Sequence, residues 1–346
     1  MIKAVKRKIR ARAPLRLGFA GGGTDLSPYC DTFGGAVLNV TIDRFAFASI
    51  LPSDAGKIVF AGDDVGMVEA FDLDDPMETG TLALHKAVYQ RMIRDFNDGH
   101  RIPMIVKTTV DAPPGSGLGS SSALVVALVE AFRIVLEAPL GPYDVARLAF
   151  EIERIDLGMA GGRQDQYAAA FGGINFIEFL AEDRVIVNPM RVNDAVRNEL
   201  ESSLVVCFSG RSRKSADIIS LQTAGLSAKS ETTMGAMHQL KSDAIEMKSA
   251  LLMGDVEQMA DVLNRSWVAK KATAEGISNN RIDELFDLAM RQGALGGKVS
   301  GAGGGGFLFF LVHPEHRYSL VSALNAAGTV ATPVKFTERG CETWQF

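Results

Sequence analysis

The sequence predicts a two-domain protein of mixed strands and helices, and three observations predict it. Its 346 residues exceed what one hydrophobic core usually serves, so two units of about 150 to 200 residues each are expected. Stretches rich in β-branched and aromatic residues, which read as strands, share the chain with long helical runs. Three glycine-rich stretches, at 18–25, 113–123 and 300–306, lie beside apolar runs, where a backbone can come close to a ligand.

Taken in order, residues 6–13 alternate basic with smaller or apolar residues, as a strand with one wet face does, and the charge there suits an edge guarded against aggregation. Residues Ala13 to Asp25 stay apolar up to Gly21-Gly22-Gly23 and then turn polar at Thr24-Asp25. Such a stretch suits a polyol lying against backbone with a carboxylate accepting from its hydroxyls, and by itself it also reads as a plain turn. Residues 35–51 and 57–60 read as strands joined by a Pro-Ser-Asp-Ala-Gly turn, 80–96 as a helix with His85 on its face, and 104–110 as a strand.

That strand leads into Pro113-Pro-Gly-Ser-Gly-Leu-Gly-Ser-Ser-Ser-Ala123. Gly115, Gly117 and Gly119 allow positive φ, while Ser120, Ser121 and Ser122 open a helix, apolar nearly all round, that runs to Glu137. Free N–H groups, the positive end of a helix dipole and short hydroxyls together favour the phosphates of a nucleotide. A second helix, 142–156, carries Glu151 and Glu153 and turns inward Val145, Leu148, Ala149 and Ile152. Asp165 follows a glycine turn. A lone helical Glu is usually solvated, but a Glu and an Asp bracketing such a turn also suit Mg²⁺ and an acceptor hydroxyl, the two tasks of phosphoryl transfer.

A hairpin at 174–187 closes the first unit, so the domains are expected at 1–188 and 189–346, with Asn188-Pro189 as a hinge. The second opens with a strand at 204–208 and a cationic turn at 209–215, followed by helices at 230–253, 255–272 and 280–292. Gly301-x-Gly303-x-x-Gly306 matches a dinucleotide fingerprint in letters, yet a strand of Phe and Leu comes next where that fold needs a helix. Gly296-Gly297-Lys298 lacks the Ser or Thr and the earlier Gly of a Walker A loop.

Composition narrows the function further. Apolar content of 47% and a net charge of −5 are ordinary for a globular protein and leave no footprint for nucleic acid. Cys30, Cys207 and Cys341 are scattered without a C-x-x-C pair and read as reduced thiols. His313 and His316 have the nearest thing to ligand spacing and read as a solvated turn. No signal-like apolar core precedes Gly18, and no run of about 18 apolar residues occurs, so a cytoplasmic protein away from the membrane is expected.

Together, the segment Pro14 to Asp25, the Pro-x-x-x-Gly-Leu-Gly-Ser-Ser-Ser-Ala loop and Lys298-x-Ser-Gly-Ala-Gly-Gly-Gly-Gly306 resemble the GHMP kinases, over both halves of the chain. The resemblance implies an α+β fold of two domains, the first like ribosomal protein S5 domain 2 and the second ferredoxin-like, with the site between them. It implies ATP and Mg²⁺, with residues 115–121 (Gly115, Ser116, Gly117, Leu118, Gly119, Ser120, Ser121) on the phosphates and Ser121 with Glu153 at the metal. It implies Asp165 and Arg16 as catalytic residues and Gly22, Gly23, Thr24, Asp25, Gly303 and Gly304 at the acceptor. Gly21-Gly22-Gly23-Thr24-Asp25 stands where galactokinases have Gly-Glu-His-Thr-Asp, which speaks against galactose and for another polyol. Phe19 to Asp25 with Ser266-Trp267-x-x-Lys270-Lys271 is most similar to the D-glycero-D-manno-heptose 7-phosphate 1-kinases of bacterial GDP-heptose synthesis. A phosphorylated acceptor needs a second cationic pocket, for which Arg211, Arg213, Lys214, Lys270 and Lys271 are the candidates. The same resemblance admits kinases of fucose, galactose or phosphomevalonate, a diphosphate decarboxylase and a non-catalytic sugar sensor. It leaves a homodimer open.

Overall fold

The computed structural model describes residue 5 and residues 7–77, 80–210 and 215–346. The strands are β1 (Ile9–Ala20), β2 (Gly35–Pro52), β3 (Ile58–Gly62), β4 (Met67–Phe71), β5 (Met104–Val110), β6 (Ile174–Phe179), β7 (Val185–Pro189), β8 (Leu204–Phe208), β9 (Ala294–Val299), β10 (Phe307–Val312), β11 (Val330–Pro333) and β12 (Glu342–Gln345). The helices are α1 (Tyr29–Phe33), α2 (Ala83–Phe96), α3 (Ser120–Leu136), α4 (Pro142–Glu151), α5 (Gln164–Phe171), α6 (Asp194–Ser203), α7 (Ser215–Ser227), α8 (Glu231–Met253), α9 (Val256–Lys271), α10 (Asn280–Arg291) and α11 (Pro314–Ala326).

The first sheet runs β12-β1-β2-β5-β3-β4, and β6 with β7 pairs onto the other half of β2. At 18 residues β2 is long enough to pair with β1 on one side and with both β5 and β6 on the other. The second sheet is antiparallel in the order β11-β8-β10-β9, the 4-1-3-2 order of a ferredoxin-like unit. The expected two-domain α+β architecture is therefore present. One apolar cluster runs through both sheets and α3, α8 and α9, and Phe19 of β1 lies 5.6 Å from Phe309 of β10. That shared core fixes the walls of the cleft relative to one another.

Four expectations are corrected. β1 is not an edge: β12 pairs with it at Ile9–Arg12, and Arg12 binds Glu342 at 2.6 Å while lying over the Phe45 ring. The pairing also returns the end of the second expected domain to the first sheet. Asn188 and Pro189 are ladder residues of β7, not a hinge, and the Asn188 amide donates to the Phe176 carbonyl. His313 and His316 stand at the start of α11 rather than in a turn, because Pro314 at its first position presets helical φ.

Candidate active site

β1 delivers the first glycine stretch, and the Thr24-Asp25 pair beyond it is more structural than its composition suggests. Thr24 is fully buried; its hydroxyl donates to the Ala36 carbonyl at 2.9 Å and accepts from the Ala36 N–H at 3.0 Å. It staples the turn to β2 instead of meeting an acceptor. Asp25 accepts from the backbone N–H groups of Arg163 (2.9 Å), Gln164 (3.0 Å) and Gly23 (3.1 Å) and from the Gln164 amide (3.3 Å). Its carboxylate thus caps the start of α5 from outside that helix. It still lines the cleft, but with its lone pairs largely engaged by protein.

The central loop reaches α3 through three left-handed glycines, Gly115, Gly117 and Gly119, with φ of 71°, 81° and 75°. α3 begins without a side-chain cap, and its first backbone bond to the loop is made by the N–H of Ala123. The donors of Ser120, Ser121 and Ser122 are thereby left for an anion. The third glycine stretch packs against the back of this loop. The Gly117 carbonyl accepts from Ser300 Oγ at 2.9 Å, the Phe307 N–H donates to Ser116 at 2.8 Å, and a Cβ on Gly117 or Gly306 would strike the opposite backbone.

Two acidic arrangements face the loop. Ser121 Oγ donates to Glu153 Oε1 at 2.8 Å, and the Gln166 amide donates to Glu153 Oε2 at 2.6 Å and to Ser122 Oγ at 3.1 Å. Glu153 has no solvent exposure and sits in a π-helical turn, residues 152–156, that continues α4 and swings the carboxylate toward α3. Arg16 grips Asp165 Oδ1 through two nitrogens, at 2.8 and 2.6 Å, and donates to the Gly117 carbonyl at 2.6 Å. Beneath them Lys270 donates to the Gly22 carbonyl at 3.1 Å. Burial pushes its ammonium down to about 8, against the pull of Asp25. Lys298, also buried, is pushed down to about 7 by burial and then by Lys270 and Arg16.

Arg16, Ser121, Glu153, Asp165 and Lys270 line one cleft of about 710 Å³. Of the residues expected there, Arg16, Gly22, Gly23, Asp25, Gly115, Gly117, Gly119, Ser120, Ser121, Glu153 and Asp165 line it. Ser116, Leu118 and Thr24 are buried behind it. Gly303 and Gly304 also fall outside its lining: Gly304 donates to Ile277, against which Gly303 packs, while Gly301 and Ala302 face the cleft. Arg213 and Lys214, like Arg211, lie outside the described residues. Lys271 rests its ammonium 5.6 Å from the Trp267 ring, so only Lys270 of that pair faces inward. Sequence reasoning missed Arg154, Gln164 and Gln166. The last two flank Asp165, and that alternation of polar residues is the one local signal of a helix start turned toward the site.

Among the described residues no three His, Cys, Asp or Glu side chains gather as a metal cage. Mg²⁺ shared with phosphates needs only one or two protein oxygens, and the Ser121 hydroxyl beside the buried Glu153 carboxylate supplies that kind of donor set. No helix among the described residues is long and apolar enough to cross a membrane.

The GHMP kinases N terminal domain matches residues 83–173 and the GHMP kinases C terminal domain residues 247–330. The chain is 42% identical to the D-glycero-alpha-D-manno-heptose 7-phosphate kinase of Campylobacter jejuni, over 98% of this chain and 99% of that one. A crystal structure described as a D-glycero-D-manno-heptose 1-phosphate kinase from Bacteroides thetaiotaomicron superposes with a TM-score of 0.83 at 41% identity, covering 98% and 99% of the two chains. Lactococcus lactis galactokinase with galactose superposes at 0.75 with 17% identity, covering 99% and 96%, a likeness of fold.

Proposed function

The chain belongs to the GHMP kinase family, and on that premise we propose that it phosphorylates the anomeric hydroxyl of D-glycero-D-manno-heptose 7-phosphate with ATP. The product is heptose 1,7-bisphosphate, for GDP-heptose and surface polysaccharide. The observation that carries the chemistry is the Arg16–Asp165 pair held at the mouth of an uncapped, glycine-rich helix start. The acceptor's identity leans on the full-length likeness to the Campylobacter kinase.

In this reading the 115–121 loop and the first N–H groups of α3 hold the β- and γ-phosphates. Ser121 and Glu153 hold Mg²⁺, which when bound neutralises phosphate charge. Gln166 keeps the Glu153 carboxylate aimed at Ser121. Asp165 accepts from the anomeric hydroxyl, and Arg16, locked by the Gly117 carbonyl, fixes the rotamer of Asp165 and offsets charge as the hydroxyl attacks in line. An anomeric hydroxyl is more acidic than an ordinary alcohol, so Asp165 acts chiefly by position. The three free thiols support a reducing, cytoplasmic location.

The test is ADP release measured with heptose 7-phosphate, fucose, galactose and phosphomevalonate in parallel. Heptose 7-phosphate is expected to give the highest kcat/KM; a faster rate with another acceptor reassigns the substrate, and no ADP from any of them points to a non-catalytic sensor. In the same assay Asp165→Asn is expected to cut kcat about a hundredfold or more with ATP binding intact, and unimpaired turnover would refute its role.

A further inference from the structure

The reacting hydroxyl and the phosphate of a heptose 7-phosphate lie at opposite ends of the sugar. With the hydroxyl at Asp165, the phosphate must sit a sugar's length away from the ATP loop. The main cleft adjoins a side lobe of about 440 Å³, with Asp25, Arg154 and Ser220 on the shared boundary and no residue of the 113–123 loop in its lining.

Resting on the acceptor reading above, we propose that this lobe is the subsite for the acceptor's own phosphate, with Arg154 as its principal ligand. Arg154 comes from the π-helical turn, directly after Glu153. Its side chain is only 13% exposed, yet its five donors are poorly used: Nε reaches the Gly162 carbonyl at 3.4 Å, and the Glu153 carboxylate lies 3.6 Å away, too far for a hydrogen bond. Gly161 leaves room for that guanidinium, since a Cβ there would collide with it and push it off the turn. A buried, under-satisfied guanidinium facing a cavity is suited to a phosphate dianion, which it can meet with two parallel bonds.

Of the other walls, the one carboxylate, Asp25, has its oxygens taken up by the N–H groups of Gly23, Arg163 and Gln164. Arg163 adds positive charge but is already engaged, 2.6 Å from Asp183 and over the Phe150 ring, so it shapes the lobe's field more than it grips. Ser220 and Thr223 stand one turn apart on α7, facing the lobe, and their hydroxyls make no hydrogen bond among the described residues. They offer the neutral donors that complete a phosphate's shell.

The experiment compares kcat/KM for heptose 7-phosphate with that for the same heptose lacking the phosphate. The variants are Arg154→Gln, Arg154→Lys, the S220A/T223V double and the R213Q/K214Q double, each checked by thermal unfolding and KM for ATP. The wild type is expected to prefer the phosphorylated sugar. Arg154→Gln should shrink that preference by about thirtyfold or more, mainly through KM for the sugar phosphate, with part restored in Arg154→Lys. Should Arg154→Gln fail to fold, S220A/T223V carries the test with a loss of about tenfold. A preference left intact in both, or lost instead in R213Q/K214Q, overturns the assignment while leaving the acceptor reading standing. A wild type indifferent to heptose 7-phosphate overturns the acceptor reading and the lobe with it.

Discussion

At the scale of single residues, Lys298 shows what it costs to build a cationic floor under the site. Burial, then Lys270 and Arg16, push its ammonium down to about 7, while a lysine of the unfolded chain titrates at about 10.4. Below pH 7 the folded protein carries the full penalty of a charged, desolvated group. From about pH 7 to about 10 the unfolded chain holds a proton that the folded chain has released, so this lysine makes stability climb with pH. Buried Cys30 and Cys207 act in the opposite sense: burial raises both thiols, Cys30 to about 12, and unfolded thiols ionise from about 8.5 upward. The difference between a variant and the wild type removes that background. Lys298→Met is therefore expected to melt above the wild type at pH 7, with the gap closing as pH rises toward 10; melting curves at four or five pH values read it directly. Asp243, which also attracts Lys298, keeps its bonds to Arg265, Ser266 and Gln239 in the variant, so no orphaned carboxylate confuses the result. A gap that stays constant with pH would mean that Lys298 is not the group responsible.

The loop and its helix form the next scale, where glycines that look interchangeable in sequence have different neighbours. A Cβ on Gly117 would run into the Ser300 backbone, whereas one on Gly119 would stand 3.2 Å from the Asp165 carboxyl carbon. Both have positive φ, so alanine adds about 1 to 2 kcal/mol of backbone strain at either position. Gly117→Ala is expected to lower both melting temperature and kcat, because the Gly117 carbonyl also holds Arg16, and Gly119→Ala chiefly kcat, about tenfold or more, by displacing Asp165. Equal kcat in Gly119→Ala and wild type would show that Asp165 has slack. This difference is also where legibility in the sequence stopped. The strand, glycine loop and buried helix were readable because composition and period are local signals, and so were acidic groups on both sides of a glycine turn, while the choice of Glu153 over Glu151 came from the family resemblance alone. Which way Thr24 turns was not, since a threonine after three glycines can equally meet a ligand or a neighbouring strand. α6, α7 and α11 escaped because their apolar positions are sparse or irregular, and β12 escaped because its partner lies more than three hundred residues away in the chain.

Over the whole molecule, that distant pairing closes the fold across α5. After β11 the chain crosses back over β2, where Asp43 donates its N–H to Lys335 and Thr337 donates to Thr41, before β12 joins β1. On the way Gly340 lies on the carbonyl of Ala170 so closely that any side chain would collide with it. Ala170 belongs to α5, the helix that begins with Gln164, Asp165 and Gln166, so the tail of the second half presses on the element that aims the acidic group of the first. A methyl group at 340 must displace either the tail or the helix. α5 is anchored at its start by Asp25, which accepts from Arg163 and Gln164, and in its first turn by the bond from Gln166 to Glu153. Near 340 the tail is held by the bonds at residues 335–337 and by the four-residue β12, both away from the point of contact, so the tail should yield. Gly340→Ala is then expected to lower the melting temperature by about 1 to 4 °C, the scale of 1 to 3 kcal/mol of overpacking in a chain of this size, with kcat within about twofold of wild type. Thermal unfolding and steady-state rates on the same preparation separate the two responses. A fall in kcat matching that of Asp165→Asn would mean that the helix moved instead, and an unchanged melting temperature would mean that the tail does not clamp α5 at all.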